Sequence, residues 1–212
     1  MKALLIGFLL AGTPWIASAQ VAEPWPCFDL AVVARVVAQT PDPFPDSGPD
    51  VIVIRWPWRL EFEAERVLIG QAEGSRLRVA AAMHTSFNPQ IDHFLLLLRE
   101  GDDGGYGLVD LDYQVVRDRY GRFIRPFAAP AFDEEVRPEG WLPSNYEDFL
   151  RPIHYSTSDA WWLTPPYVDE DELADGWFTR QGKRVVAARG LHLGDLAEMM
   201  SQTPGAVCQP GG

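Results

Sequence analysis

The stretch Ile52-Val53-Ile54-Arg55-Trp56-Pro57-Trp58-Arg59-Leu60-Glu61-Phe62-Glu63-Ala64-Glu65 sets the reading of the chain. Ile52, Ile54, Trp56, Trp58, Leu60, Phe62 and Ala64 fall on one face, and Arg55, Pro57, Arg59, Glu61, Glu63 and Glu65 mostly occupy the other. A period of two over such a span is a half-buried β-strand. At ~3.3 Å per residue the strand is very long for a small domain, so it is expected to bend or break. Pro57 is the natural place, since proline cannot donate to a ladder.

Working outward, the nearly continuous apolar run from Phe28 to Ala38 reads as a strand buried on both faces. A proline-rich loop over residues 40–50 separates the two strands. After a turn at Gly70–Gly74, alternation resumes at Leu77, Val79, Ala81 and Met83. His93 to Leu98 is a second fully buried strand, followed by the acidic turn Gly101–Gly105. Tyr106–Val116 and Gly121–Phe127 complete the set. Strands at this spacing predict a mainly β protein built on a small OB-like antiparallel barrel.

Past Pro126 the character changes. Residues 128–176 are rich in proline, acid and tryptophan, with a capping box at Ser144-Asn145-Tyr146-Glu147 that starts a short helix. A hairpin turning at Gln181-Gly182 and a closing amphipathic helix over Leu193–Met200 follow, with Leu196, Met199 and Met200 inward. The expected organisation is an export signal over 1–19, the barrel over 20–127, and an irregular extension over 128–212 ending in a short helix.

The export signal rests on Lys2, the apolar run Ala3–Ala11 and the small-x-small site Ala17-Ser18-Ala19. The apolar run is shorter than the roughly 20 residues that span a bilayer, so cleavage and release into the periplasm or extracellular medium are expected, with no membrane span afterwards. The net charge of −12 makes nucleic acid a poor partner.

The chain has two cysteines, Cys27 and Cys208. In an oxidising compartment they are expected to pair, two free thiols or an intermolecular bridge being the alternatives. Chain entropy assigns a loop of that length about 5 kcal/mol as an upper figure.

Three stretches resemble the netrin/tissue-inhibitor-of-metalloproteinase type of secreted OB domain. They are Cys27-Phe28 leading into Val32-Val33-Ala34-Arg35-Val36, then Phe62-Glu63-Ala64-Glu65-Arg66-Val67-Leu68-Ile69-Gly70, then His93-Phe94-Leu95-Leu96-Leu97. The resemblance spans residues 27–116 and implies an OB barrel. Inhibitors of this type chelate a protease zinc through the free amino group and carbonyl of an amino-terminal cysteine. Here the expected mature start is Gln20, seven residues before Cys27, and the family's other cysteines are missing. Cys27 is therefore read as a disulfide partner.

Few side chains suggest chemistry. His84 and His93 bracket a loop between strands expected to be neighbours, with Asp92 beside the second. Two histidines and a carboxylate can bind zinc or iron if those strands pair. Trp56 with Trp58, and Trp161 with Trp162, could stack on sugars or proline-rich peptides, although Trp56 and Trp58 also continue the apolar face of Leu60 and Phe62. The acidic run at residues 169–172 lacks the glycine and terminal glutamate of an EF-hand loop. Nucleophile motifs and phosphate loops are absent. The expectation is an exported, non-catalytic, monomeric binding protein with a protein or carbohydrate ligand and no cofactor. A metal-dependent or hydrolytic enzyme using His84, Asp92 and His93 is the alternative, and a structural envelope component a further one.

Overall fold

The computed structural model describes residues 27–43, 54–109, 113–127, 141–143, 145–156, 162–163, 173 and 175–209. The expected export segment, Ile52, Ser144, Trp161 and the acidic run at 169–172 lie outside the described residues.

The protein is mainly β, with a closed five-stranded barrel and a short C-terminal helix. Strand β1 (Leu30–Pro41) pairs antiparallel with both β2 (Trp56–Ile69) and β4 (His93–Glu100). Strand β3 (Arg76–Met83) pairs antiparallel with β2, and β5 (Tyr106–Leu108) antiparallel with β4. The ring closes through β3 and β5, which run parallel, with Val79 opposite Tyr106 and Ala80 opposite Gly107. The barrel order is thus β1-β2-β3-β5-β4 and back to β1, the five-stranded plan of an OB fold. One pairing departs from the all-antiparallel expectation. The acidic turn joins β4 and β5 as predicted, and Gly101 N–H donates to Gly105 O at 2.8 Å.

Among the described residues the predicted span is interrupted beside Pro57, since Ile54 and Arg55 lie outside the ladder, while β2 does not bend at the proline itself. Strand β2 starts at Trp56 and continues to Ile69, so Pro57 sits at a strand start, where a missing N–H is tolerated. The curvature is taken up by β1 instead, whose register against β2 shifts at Ala31/Val32, Val33/Ala34 and Val36/Ala38. Such bulges bend a strand and sharpen its twist, which is how a long strand follows a small barrel. The predicted strand Tyr106–Val116 is two strands, β5 and β6 (Tyr113–Arg117), because β4 is shared: its C-terminal end pairs with β5 and its N-terminal end with β6.

That sharing explains the two-sided burial of β1 and β4. Leu30, Val32, Ala34, Phe94, Leu96 and Leu98 face the barrel interior with Leu60, Phe62, Leu77 and Val79. Ala31, Val33, Leu95 and Leu97 face a second core, contributed largely by the C-terminal part of the chain. Trp141, Leu191, Leu193, Leu196 and Met200 are buried there, and Trp141 meets Phe28 edge-on at 6.3 Å. A fully buried Leu or Phe contributes about 2 kcal/mol, so both layers stabilise the same two strands.

Strands β7 (Phe123–Phe127), β12 (Arg189–His192) and β8 (Arg151–Pro152) continue the sheet beyond β6. Residue 127, the expected boundary, is therefore spanned by hydrogen bonds: β7 pairs with β12 from Ile124–His192 to Phe127–Arg189. A smaller sheet contains β9 (Trp162–Leu163), β10 (Phe178–Gln181) and β11 (Arg184–Ala187). The last two form the predicted hairpin, turned by Gly182 at φ 62°. Helix α1 (Leu193–Gln202) buries Leu193, Leu196, Met199 and Met200. The predicted short helix near Ser144 is a single 3-10 turn, Tyr146–Phe149, with Asn145 at its N-cap and no side-chain capping bond there.

The ends of the described chain meet. Phe28 and Val207 form a parallel bridge, and Cys27 is disulfide-bonded to Cys208. The expected intramolecular pairing is present.

Candidate functional site

The two histidines of the predicted metal trio are held by different partners. His84 follows the end of β3 and His93 opens β4, and those two strands are not paired, β5 lying between them in the sheet order. His84, exposed at the end of β3, donates from Nδ1 to the Ile54 carbonyl at 2.9 Å and meets Trp56 edge-on. His93 is buried at the start of β4, and its Nε2–H donates to Glu65 Oε2 at 2.7 Å. Asp92 is exposed. Among the described residues no group of three His, Cys, Asp or Glu side chains is placed to hold a metal ion.

His93 belongs instead to a polar cluster across three strands. Glu65 on β2 accepts from His93 with one oxygen and from Arg117 Nη2 on β6 with the other. The Arg117 guanidinium lies 4.0 Å over the ring of Phe123, which His93 also meets edge-on. His93 Nδ1 is buried without a hydrogen-bond partner among the described residues, as suits a ring that carries its proton on Nε2. The cluster ties β2, β4 and β6 over the rim of the second core. It reads as architecture.

The tryptophans divide. Trp58 is buried in the barrel core beside Leu60 and Phe62, the outcome their shared face favoured. Trp56 is half-buried, its ring 6.0 Å from that of Trp58. Trp162 lies on β9 opposite Val186.

Among the described residues several clefts have room for a small ligand, including one of about 550 Å³ beside α1 and one of about 520 Å³ along the end of β1; two others are built by more than one element of the barrel or the C-terminal sheets. The first, about 370 Å³, opens on the β2–β3 face of the barrel. Arg59 and Glu61 come from β2, Arg78 from β3, Asp103 from the β4–β5 turn, Tyr106 from β5, and Thr40 from the end of β1. Alternation places Arg59 and Glu61 outside the barrel because Leu60 and Phe62 fill its inside. Arg59 is held by Asp42 at 2.7 Å, and Glu61 stands opposite Arg78 in the ladder. The result is a shallow polar site with donors, acceptors and one half-buried aromatic ring. None of these residues except Arg59 and Glu61 stood out in the sequence, and those two only as the polar side of an amphipathic strand.

The second cleft, about 520 Å³, lies between the β6–β7 turn, the segment after β8, and the β10–β11 hairpin. Arg119, His154, Ser156, Gln181 and Arg184 supply its polar lining, with no carboxylate among the described lining residues. Three backbone-mediated ties build it. Arg119 N–H donates to His154 O at 2.8 Å, Asp118 bridges Tyr155, and the Tyr155 hydroxyl donates to Ala187 O at 2.7 Å.

The turn that presents Arg119 is organised by Asp118. Its buried carboxylate accepts the N–H groups of Tyr120 and Arg122 at 2.9 and 2.8 Å and pairs with the Arg122 side chain. Burial pushes its pKa up, but the hydrogen bonds from Arg122 and Tyr120 and the Arg122 charge outweigh that and hold the group below the ordinary aspartate value.

Comparison with family models, curated proteins and solved structures finds no match. The functional reading therefore rests on the geometry of these sites.

Proposed function

We propose that the chain is an exported, non-catalytic binding protein of the cell envelope or extracellular space, whose OB-like barrel takes a carbohydrate or protein ligand on its β2–β3 face. The observation that carries this reading is the position of the 370 Å³ cleft. OB barrels bind oligonucleotides and oligosaccharides on the face of strands 2 and 3, flanked by the loops after strands 1 and 4. The cleft is lined by β2 and β3, by Thr40 before the first of those loops, and by Asp103 and Gly105 within the second. Its volume falls within the range of small-ligand sites.

The acidic balance of the chain disfavours a nucleic acid in that position. Arginine, aspartate, glutamate and threonine around one tyrosine ring match the alternating donors and acceptors of a sugar, so a carbohydrate is preferred over a protein. The strand order with its parallel β3–β5 pair is the plan of OB barrels in general, and the resemblance to netrin/tissue-inhibitor-type domains rests on the sequence alone. Zinc chelation through Cys27 is not part of the proposal, because the expected signal cleavage leaves that residue inside the chain.

Two measurements test the reading. Intact-mass analysis of protein secreted from its host is expected to give a chain starting at Gln20; a start at Cys27 would restore the chelating mechanism in place of this one. A glycan array is expected to show binding by the wild type that Arg78→Ala and Glu61→Ala lose, with the glycan recovered unchanged. Equal binding by the variants, or cleavage of the glycan, counts against the proposal.

A further inference from the structure

The cleft on the β2–β3 face has an uneven charge balance. The charged side chains of its lining are Arg59, Glu61, Arg78 and Asp103. Arg59 is already taken by Asp42 at 2.7 Å, so that pair adds no net charge. What remains is one cation, Arg78, and two carboxylates, Glu61 and Asp103. None of these three forms an ion pair among the described residues. Arg78 can neutralise either acid but not both, which leaves a surplus of one negative charge.

The two carboxylates stand on opposite sides of the cleft. Glu61 is on β2 and faces Arg78 across the β2–β3 ladder, while Asp103 belongs to the turn that leads into β5, on the other side of β3. Asp103 is fixed there, because its Oδ1 accepts the Gly105 N–H at 3.0 Å. Its Oδ2 has no hydrogen-bond partner among the described residues. The turn lies close against β3: a Cβ on Gly105 would stand 3.5 Å from the Arg78 carbonyl. The half-buried ring of Tyr106 supplies an apolar side on which a sugar ring can stack. The flanking loop sequences carry the same sign. Asp102 and Asp103 follow β4 without a base, and residues 42–55 hold Asp42, Asp46 and Asp50 against Arg55. An excess of one sign around a cleft concentrates ligands of the opposite sign and repels its own.

We propose that the barrel-face site takes a sugar carrying a protonated amine and discriminates against acidic sugars. This rests on the carbohydrate-binding function proposed for that face and names the class of carbohydrate. The ammonium group lies between Glu61 and Asp103, the hydroxyls bond to Arg78 and Thr40, and the ring covers Tyr106. An ammonium has three donors and no acceptor, so it satisfies two carboxylates at once. An acidic sugar would bring a further negative charge that only Arg78 could meet.

The test is an NMR titration of the mature protein at about pH 6, where such an amine is protonated. The probes are the trisaccharides of glucosamine, N-acetylglucosamine and galacturonate, with trilysine as a cation that is not a sugar. Saturable amide shifts around Glu61, Arg78 and Asp103–Tyr106 are expected with the glucosamine trisaccharide. Its Kd should be about tenfold below that of the N-acetylated sugar, the fold-change of one charge-assisted contact, and galacturonate should bind weakest. Asp103→Asn keeps an acceptor for the Gly105 N–H and is expected to remove most of that preference, with its spectrum elsewhere unchanged. Glu61→Gln, from the opposite wall, is expected to do the same, and Glu198→Gln on α1 to leave the preference as it is. Equal or tighter binding of the N-acetylated or acidic sugar at these amides overturns the amine assignment while the carbohydrate reading stands. So does a full preference retained by folded Asp103→Asn and Glu61→Gln proteins. Tighter binding of trilysine, or shifts spread equally over Asp195 and Glu198, reduces it to a general attraction of cations and overturns it. No shift at these amides with any of the three sugars overturns both readings.

Discussion

Cys208 donates its backbone N–H to the carbonyl of Phe28 at 2.9 Å, one residue along from the disulfide that joins Cys208 to Cys27. The Phe28 N–H in turn donates to Ala206 O at 3.0 Å, so the two ends are joined by covalent and backbone bonds together. Phe28 is fully buried against Trp141, which places this closure at the edge of the second core.

The closure should therefore be worth measuring as a unit. Replacing both cysteines (Cys27→Ser with Cys208→Ser) removes the constraint on a loop of 181 residues. The expected loss is about 3–5 kcal/mol, seen as a fall in Tm of about 10 °C or more. Calorimetry of the wild type with and without reductant provides the same comparison without mutation. A Tm that reductant leaves unmoved would mean that the backbone pairing and the core hold the ends alone.

Gly190 is the point where β12 threads between β7 and β8, opposite Pro126 on one side and Arg151 on the other. A Cβ added there would stand 2.5 Å from Arg125 O and 2.6 Å from Ile124 Cγ2. Those contacts are too short to relax by side-chain rotation alone, because one is backbone. Gly190→Ala is expected to cost about 2–3 kcal/mol, the upper range for overpacking, in urea unfolding. A loss below about 0.5 kcal/mol, the range of neutral surface changes, would show that β12 can shift away from β7.

How much of this was legible in the sequence depended on whether the signal was local. The alternation through Leu60 and Phe62 and the apolar run around Leu96 each lie within one strand and predicted burial correctly, whereas the run Phe28–Ala38 is buried on both faces only as far as Ala34, with Val37 43 % exposed. The parallel β3–β5 pair has no local signature, and with it β3 and β4 are not paired to each other: His93 stands opposite Val115 on β6 instead. The expected meeting of those histidines failed for that reason. The second cleft was invisible for a related one: Arg119, His154 and Arg184 come from segments more than two dozen residues apart, brought together by the Arg119–His154 backbone bond, the Asp118–Tyr155 bridge and the Tyr155 bond to Ala187. Trp58 shows the converse. Its face was readable, and the same face that suggested a stacking platform carried it into the core.

The Glu65 cluster can be weighed by a double-mutant cycle. Glu65 is partly exposed, at 32 % for its side chain, so its pairs with His93 and Arg117 are screened. Glu65→Gln is expected to cost about 1 kcal/mol, and its coupling to Arg117→Ala to be about 0.5 kcal/mol. His93→Phe would keep the edge contact to Phe123 while removing Nε2, and should cost no more than Glu65→Gln. A much larger loss, or loss of binding to any identified ligand with the fold intact, would give the cluster a role beyond holding β2 to β4 and β6.

Asp118 makes the clearest pH prediction. Its folded-state pKa is depressed below the ordinary 3.8 because hydrogen bonds from Arg122 and Tyr120 outweigh the desolvation that pushes the other way. A depressed carboxylate contributes stability that is fully present above its unfolded pKa and is lost as pH falls through its folded pKa. Asp118→Asn should therefore destabilise the protein by about 2 kcal/mol at neutral pH, the value of charge-assisted hydrogen bonds to a buried group. The gap between wild type and variant should hold steady down to about pH 5 and then narrow as the wild-type carboxyl protonates below its unfolded value. Equal stability of the two proteins at neutral pH, or a gap that widens on acidification, would show that Asp118 does not organise this turn as an ionised group.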